Sequence, residues 1–310
     1  MMDENTLERI KSRPEDVIRY VARQRLVTFA RYIKPQLQIT NFHKIYYEVL
    51  DRFAHGRIRK LIVSVSPQSG KSEGSSRFLP AFLLGLNPDL KIVIGSYNAD
   101  QAKSFNRDVQ RIVNSEAYKA VFPDTYFNNG RMRMDNVYQC NSEVSEPVGH
   151  SGFVRGVGRS GALTGKAVDI LILDDVYKDF DEANFRLIRE QAWMWYTTVC
   201  RTRLHNDSQE LIVFTRWHED DLIGRLEHSG EKIIPLTRME DIENVPEKAW
   251  VQINFPAIKV GPPTELDPRN EGEPLWPERH SIEQLLEAKA LDPIQFECLY
   301  QGNPMSAEGK

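Results

Sequence analysis

Lys71 lies in the run Ser66-Pro67-Gln68-Ser69-Gly70-Lys71-Ser72-Glu73, which follows the β-branched stretch Leu61–Val65 and opens a helical stretch. In that context backbone N–H groups of a loop and of a helix start turn toward phosphate oxygens. The lysine would sit against the β- and γ-phosphates of a nucleotide, and the Ser72 hydroxyl would ligate Mg2+. Val65 stands where such loops usually begin with glycine, so the Gly70-Lys71-Ser72 triplet needs support from elsewhere in the chain. Ile170-Leu171-Ile172-Leu173-Asp174-Asp175 supplies it, an apolar strand ending in two carboxylates. The first aspartate would hold Mg2+ through its water shell, and the second would orient and deprotonate the attacking water. Taken singly, the triplet is often coincidence and the acidic pair often a helix N-cap; taken together they point to ATP hydrolysis. Asp175 is shorter by one C–C bond than the glutamate many such ATPases carry, so the water or the loop must come closer. Thr215 ends the strand Leu211–Thr215 ahead of Arg216-Trp217-His218-Glu219-Asp220-Asp221. It is placed to feel the γ-phosphate and pass on its loss, although satisfying a backbone group, with Trp217 filling core, explains the same residues.

These side chains need a scaffold. Short β-branched runs at Leu61–Val65, Ile92–Ser96, Ile170–Leu173 and Leu211–Thr215 alternate with helical stretches at Lys71–Leu84, Ala99–Val113 and Glu182–Thr198. That alternation predicts an α/β fold with a central, mainly parallel sheet flanked by helices. The loop Ser66–Ser72 and the pair Asp174/Asp175 are expected side by side at the carboxyl ends of adjacent strands. Residues 1–60 read as an N-terminal helical segment, with helices over Glu15–Ala30 and Phe42–Phe53. Residues 61–235 form the core. In residues 236–310 prolines interrupt the chain repeatedly before a helix at Ser281–Ala290, which predicts a small loop-rich lid or linker without further strand-helix repeats.

Composition narrows the classes. With 310 residues and 41% apolar content the chain can bury a substantial core. A net charge of −4 argues against a protein that coats nucleic acid statically. The three cysteines, Cys140, Cys200 and Cys298, are widely spaced and odd in number, which predicts neither disulfide nor zinc. No apolar stretch is long enough to span a bilayer, so a soluble intracellular protein without membrane contact is expected.

The series Leu163-Thr164-Gly165, Asp169 through Asp175, Lys178-Asp179, Trp193-Met194-Trp195-Tyr196 and Phe214 through Leu222 resembles the large terminase subunits of tailed double-stranded DNA phages, over most of the chain. Pro274-Leu275-Trp276-Pro277-Glu278-Arg279 and Tyr300-Gln301-Gly302-Asn303-Pro304 are similar to the segment ahead of that family's nuclease domain. The resemblance implies an ASCE-type P-loop ATPase that works in the host cytoplasm. It would assemble as a homo-oligomeric ring on a capsid portal, meet a small terminase subunit and drive double-stranded DNA inward. Residue by residue, Gln68, Gly70, Lys71 and Ser72 match the phosphate loop, Asp174 the metal-binding aspartate, Asp175 the catalytic carboxylate and Thr215 the coupling motif. Asn41-Phe42-His43 is similar to the adenine site, with His43 in place of glutamine, and Pro67 stands where the family often carries an arginine. Nuclease chemistry is expected beyond Lys310 and not in these residues.

Two other readings stay open. Ser96-Tyr97-Asn98-Ala99 resembles a helicase segment that meets the nucleic-acid backbone, and the missing glycine with aspartate for glutamate suits a non-hydrolysing, nucleotide-dependent assembly module. Weak, salt-sensitive DNA contact is expected from scattered basic residues, with Arg57, Arg59, Lys60, Lys103 and Arg107 as candidates. Phosphoryl transfer also calls for an arginine finger, worth roughly 10³–10⁵ in rate. The glycine-rich, basic stretch Gly149–Lys166 predicts Arg155, then Arg159, in that role on a neighbouring subunit.

Overall fold

The structure, a computed structural model, describes residues 14–128, 138–163 and 165–304. Thr164 of the Leu163–Gly165 motif lies outside the described residues. The chain opens with helices α1 (Pro14–Ala22), α2 (Leu26–Ile33) and α3 (Asn41–Ala54). The single helix expected over Glu15–Ala30 is therefore two. The reason is tertiary: the Asp51 carboxylate on α3 accepts the Leu26 N–H at 2.7 Å and caps α2 from outside, so the chain can turn between the helices.

Strand β1 (Lys60–Val65) delivers the loop, and α4 (Lys71–Glu73) runs through a π-helical turn (Gly74–Phe78) into α5 (Leu79–Leu86). Then follow β2 (Lys91–Ser96), α6 (Ala99–Val113), α7 (Glu116–Val121), β3 (Val144–Ser145), β4 (Phe153–Gly158) and β5 (Val168–Asp174). Asn98 starts α6 by accepting the Gln101 N–H at 2.8 Å. Helices α8 (Phe180–Asn184) and α9 (Arg186–Met194), with a π-helical turn (Trp195–Cys200), replace the continuous helix expected over Glu182–Thr198. Strand β6 (Leu204–Val213), α10 (Leu222–His228), β7 (Ile233–Pro235), β8 (Trp250–Phe255), α11 (Ile282–Leu291) and α12 (Pro293–Leu299) complete the order.

The eight strands form one sheet in the order β3-β4-β2-β5-β6-β1-β8-β7. Every neighbouring pair is parallel except β3 with β4. One expectation is corrected here. β1 and β5 are not adjacent, because β6 lies between them, with Val63 beside Val213 and Val213 beside Asp174. Residues 236–310 also give the sheet a strand, since β8 pairs with β1 along its whole length, from Lys60 beside Trp250 to Val65 beside Phe255. Prolines on both sides (Pro246, Pro256) and the alternation Val251-Gln252-Ile253-Asn254 hide this strand, because buried parallel strands usually read as unbroken apolar runs.

Alternate residues of the strands feed two cores. Leu61, Val63 and Val65 join the larger one under α2 to α7, whereas Ile62, Leu171, Leu173 and Trp250 join the other with α9 and α10. The N-terminal helices are thus part of the main core. A third small cluster, Ala257, Leu285 and Phe296, packs α11 and α12 beyond β8. The three cysteines form no disulfide. No helix among the described residues is long and apolar enough to cross a membrane.

Candidate functional site

The site is built where β1, β5 and β6 end. Between β1 and α4 the loop is braced from within: the Ser69 hydroxyl donates to the Ser66 carbonyl at 2.7 Å and meets the Ser66 hydroxyl at 2.8 Å. Gln68 and Gly70 both take left-handed backbone angles, φ 58° and 78°. At Gly70 a Cβ would also come 3.3 Å from His43 Nε2, so glycine serves both the turn and the close approach.

The buried Lys71 ammonium lies 3.1 Å from an Asp175 carboxylate oxygen and donates to the Thr215 hydroxyl at 3.1 Å. The Thr215 N–H donates to the other Asp175 oxygen at 3.4 Å. Asp175 itself holds φ 46°, a conformation aspartate tolerates better than most residues. Its carbonyl, accepting from Tyr97 N–H at 2.9 Å and the Ser96 hydroxyl at 3.3 Å, fixes that backbone. The Ser96–Ala99 segment is thus accounted for by holding Asp175 and capping α6.

Asp174 has no exposed surface and accepts from Ser72 at 2.9 Å, Ser75 at 3.4 Å and Ser76. Burial, then the neighbouring Asp175 charge, pushes its carboxyl up to about 6, against the pull of Lys71, Ser76 and Ser72. Ser75 and Ser76 are partners of Asp174 that the sequence motifs did not single out. Their signal was the spacing of three and four residues from Ser72, which places all three hydroxyls on one helical face. No group of three or more His, Cys, Asp or Glu among the described residues could hold a metal by itself. The hydroxyl and carboxylate of Ser72 and Asp174 do fit Mg2+ bound mainly through phosphate oxygens and water.

Behind the site, the Trp195 indole N–H donates to the Gly161 carbonyl at 2.9 Å, and its ring packs on Gly95, where a Cβ would come within 2.8 Å. The charged run after Thr215 is largely structural. Arg216 pairs with the buried Asp221 at 2.7 Å, while Asp220 binds Arg189 and Arg225.

His43 lies under the loop, 4% exposed. Its Nδ1 accepts the Thr40 N–H at 3.2 Å, which leaves the proton on Nε2 to be donated to the Ser69 carbonyl at 3.1 Å. Both ring nitrogens are thereby committed to the protein, and Phe42 is buried beside the ring at 3.9 Å between centroids. Burial lowers the His43 pKa from 6.5 to about 4, against the raising effect of Ser69. A folded-state value below the unfolded one means the unfolded chain takes up the proton first on acidification. The neutral ring's stabilisation is then present above about pH 6.5 and lost as pH falls toward 4. His43→Gln should therefore lose less stability than the parent between pH 7 and about 4.5, by roughly 2–3 kcal/mol. Urea unfolding of both proteins at both pH values measures this, and the difference cancels Asp174 and other titrating groups. Parallel pH dependences would exclude the effect.

The two arginines expected to serve a neighbouring subunit lie in and just after β4, residues 153–158 of the stretch Gly149–Lys166. Arg155 stands beside Val93, which lies one residue before the partner of Ile172, and it faces Glu143 and Lys166 in a polar groove. Arg159 is closer, but its guanidinium donates to the Val176 carbonyl at 2.8 Å and to Glu182 at 3.0 Å. Of the DNA candidates, Arg59 pairs with Glu247, Lys60 with Glu231 and Lys103 with Glu143. Glu73 pairs with Lys34 at 2.7 Å.

A parallel sheet with one strand inserted between the loop strand and the acidic strand, and a loop lysine held between carboxylate and threonine, defines the ASCE class of P-loop nucleotide-binding domains. Within that class the chain belongs to the terminase large subunit family, T4likevirus-type, N-terminal, whose pattern matches residues 62–310. The fold is shared with the large terminase ATPase domain of Thermus phage P74-26. A point mutant of that domain is similar at TM-score 0.51 and 19% identity, and another structure of the domain at 0.50 and 20%, each over 87% of this chain and 100% of that one. The HK97 bacteriophage large terminase is similar at TM-score 0.52 and 14% identity, over 91% of this chain; the match spans 55% of that protein. No curated protein sequence matches the chain.

Proposed function

We propose that the chain is the ATP-hydrolysing motor part of a terminase large subunit that moves double-stranded DNA into a viral procapsid. Family membership supports the packaging role, and one observation carries the chemistry: Lys71 reaches both Asp175 and Thr215 at 3.1 Å while Ser72 reaches Asp174 at 2.9 Å. In this reading the loop amides and Lys71 bind the β- and γ-phosphates, and Ser72 and Asp174 hold Mg2+. Mg2+ held there would supply positive charge against that of the phosphates. Asp175, with its carboxylate partly open to solvent, orients the attacking water and accepts its proton. Thr215 shares a hydrogen-bond pattern with both Lys71 and Asp175, so a change at the phosphates alters its partners directly. Thr215 is followed directly by Arg216, which pairs with the buried Asp221, so the segment leaving the site is tied down at its first residue. Assembly as a ring on a portal, contact with a small terminase subunit and work in the host cytoplasm belong to this proposal, as does weak DNA contact through local basic side chains. The helicase reading finds no further support, since Tyr97 and Asn98 have structural duties.

Steady-state phosphate release from the purified protein with Mg·ATP tests the reading. Release should be measurable and should fall by about two orders of magnitude or more in Lys71→Ala, since the substitution deletes the one ammonium facing the phosphates. Equal release from both proteins would reject it, and tight Mg·ATP binding without release would favour the assembly module.

A further inference from the structure

We infer that Arg279, in the segment after β8, is a phosphate-contacting arginine of the nucleotide site supplied by the same chain. The inference rests on the proposed nucleotide hydrolysis. Arg279 Nη2 donates to the side-chain carbonyl of Gln68 at 3.2 Å, across 211 residues of sequence. Gln68 is the exposed loop residue whose left-handed backbone sets the loop mouth.

The segment that carries Arg279 is firmly seated. The Leu275 N–H bonds to the Ala257 carbonyl at 2.7 Å, the Leu275 side chain is buried in the main core, and Trp276 packs edge-on against His43 at 4.7 Å. A turn in which the Arg279 and His280 N–H groups both bond to the Trp276 carbonyl then presents the guanidinium to the loop. Its central carbon lies 5.9 Å from the centre of the Trp276 ring. No ion pair joins Arg279 to a carboxylate among the described residues, whereas the other basic groups around the loop are engaged. Lys34 binds Glu73, Arg77 binds Asp108, and Arg159 binds Glu182.

Charge supplies the motive. One ammonium, Lys71, faces two carboxylates, Asp174 and Asp175, so the protein groups at the phosphates carry no positive surplus. Pro67 adds no charge to the loop. A guanidinium resting on a neutral amide oxygen gains a charge-assisted, bidentate partner when a triphosphate arrives, and Gln68 loses only a neutral acceptor role. Exposure of both side chains leaves Arg279 free to make that exchange by rotation about its own bonds, without moving the seated backbone.

The test is Mg·ATP binding by titration of a fluorescent ATP analogue, with AMP as a competing ligand, for the parent chain, Arg279→Ala, Arg279→Lys and Lys71→Ala, beside thermal unfolding without nucleotide. Arg279→Ala should weaken analogue binding by roughly 10- to 100-fold. Arg279→Lys should recover part of the loss, AMP affinity should change little, and nucleotide-free unfolding should match the parent. Unchanged analogue affinity in Arg279→Ala would overturn the inference. So would equal losses in both Arg279 variants with earlier unfolding, which would mark a structural role, or a matching loss for AMP, which would mark a contact to the base. If the parent itself fails to bind, or Lys71→Ala binds as well as the parent, the nucleotide reading falls first and the inference with it.

Discussion

Asp175→Asn is expected to reduce ATP turnover by about 10²–10⁴ while Mg·ATP affinity stays within roughly threefold. Asparagine keeps the side-chain oxygen that accepts from Thr215 N–H, and it tolerates the φ of 46° that Asp175 adopts, so the loop after β5 should keep its shape. What disappears is the charge that pairs with Lys71 at 3.1 Å and would orient and deprotonate water. Asp174→Asn should behave differently. Asp174 is fully buried against the hydroxyls of Ser72, Ser75 and Ser76, so its replacement should weaken Mg2+-dependent binding. Single-turnover rates and nucleotide titrations on both variants separate the two roles. Equal loss of nucleotide affinity in both would show that the carboxylates do not divide the work.

Phe29→Ala should lower unfolding free energy by about 3–5 kcal/mol, a large share of the stability of any domain. Phe29 has no exposed surface and its ring meets Phe82 at 5.4 Å, Tyr118 and Phe122 at 5.8 Å, and Phe78 at 6.4 Å. Removing it opens a cavity between α2, α7 and the helix that leaves the phosphate loop, and several rings cannot close that space without leaving their own contacts. Nucleotide binding should fade over the same denaturant range as the fold, because Phe78 lies in the π-helical turn just after Lys71-Ser72-Glu73. Phe185→Ala, at a position 64% exposed, should shift the midpoint little and serves as the comparison. A loss near 1 kcal/mol at Phe29, against the roughly 3–5 expected for such a cavity, would mean that the N-terminal helices are loosely attached and not part of the main core.

Some of this protein is written locally. The β-branched runs became β1, β2, β5 and β6 within a residue or two, although β6 begins well before Leu211. Asn98, Asp221, Ser281 and Asp292 cap the helices that follow them, each through its own side chain. Capping, turn geometry and apolar alternation act over a few residues, so one stretch of sequence carries them complete. The chemical types at the site were legible for the same reason: a lysine after a tight loop and two carboxylates after an apolar strand announce themselves without their surroundings.

The rest depended on which faces could be buried together. Placing β6 between β1 and β5, and β8 on the far side of β1, follows from packing helices on both sheet faces, and no short window of sequence records that order. Only the assembled sheet brings Ser75 and Ser76 onto Asp174, commits the Nε2 of His43 to Ser69, and lets Asp51 start a helix 25 residues away. The same packing ties Arg159 to Glu182 and sets Arg279 against Gln68. Sequence thus determined which chemical types stand at the ends of these strands, while tertiary structure decided what each of them touches, because a side chain's partners are fixed only when distant segments compete for the same buried space.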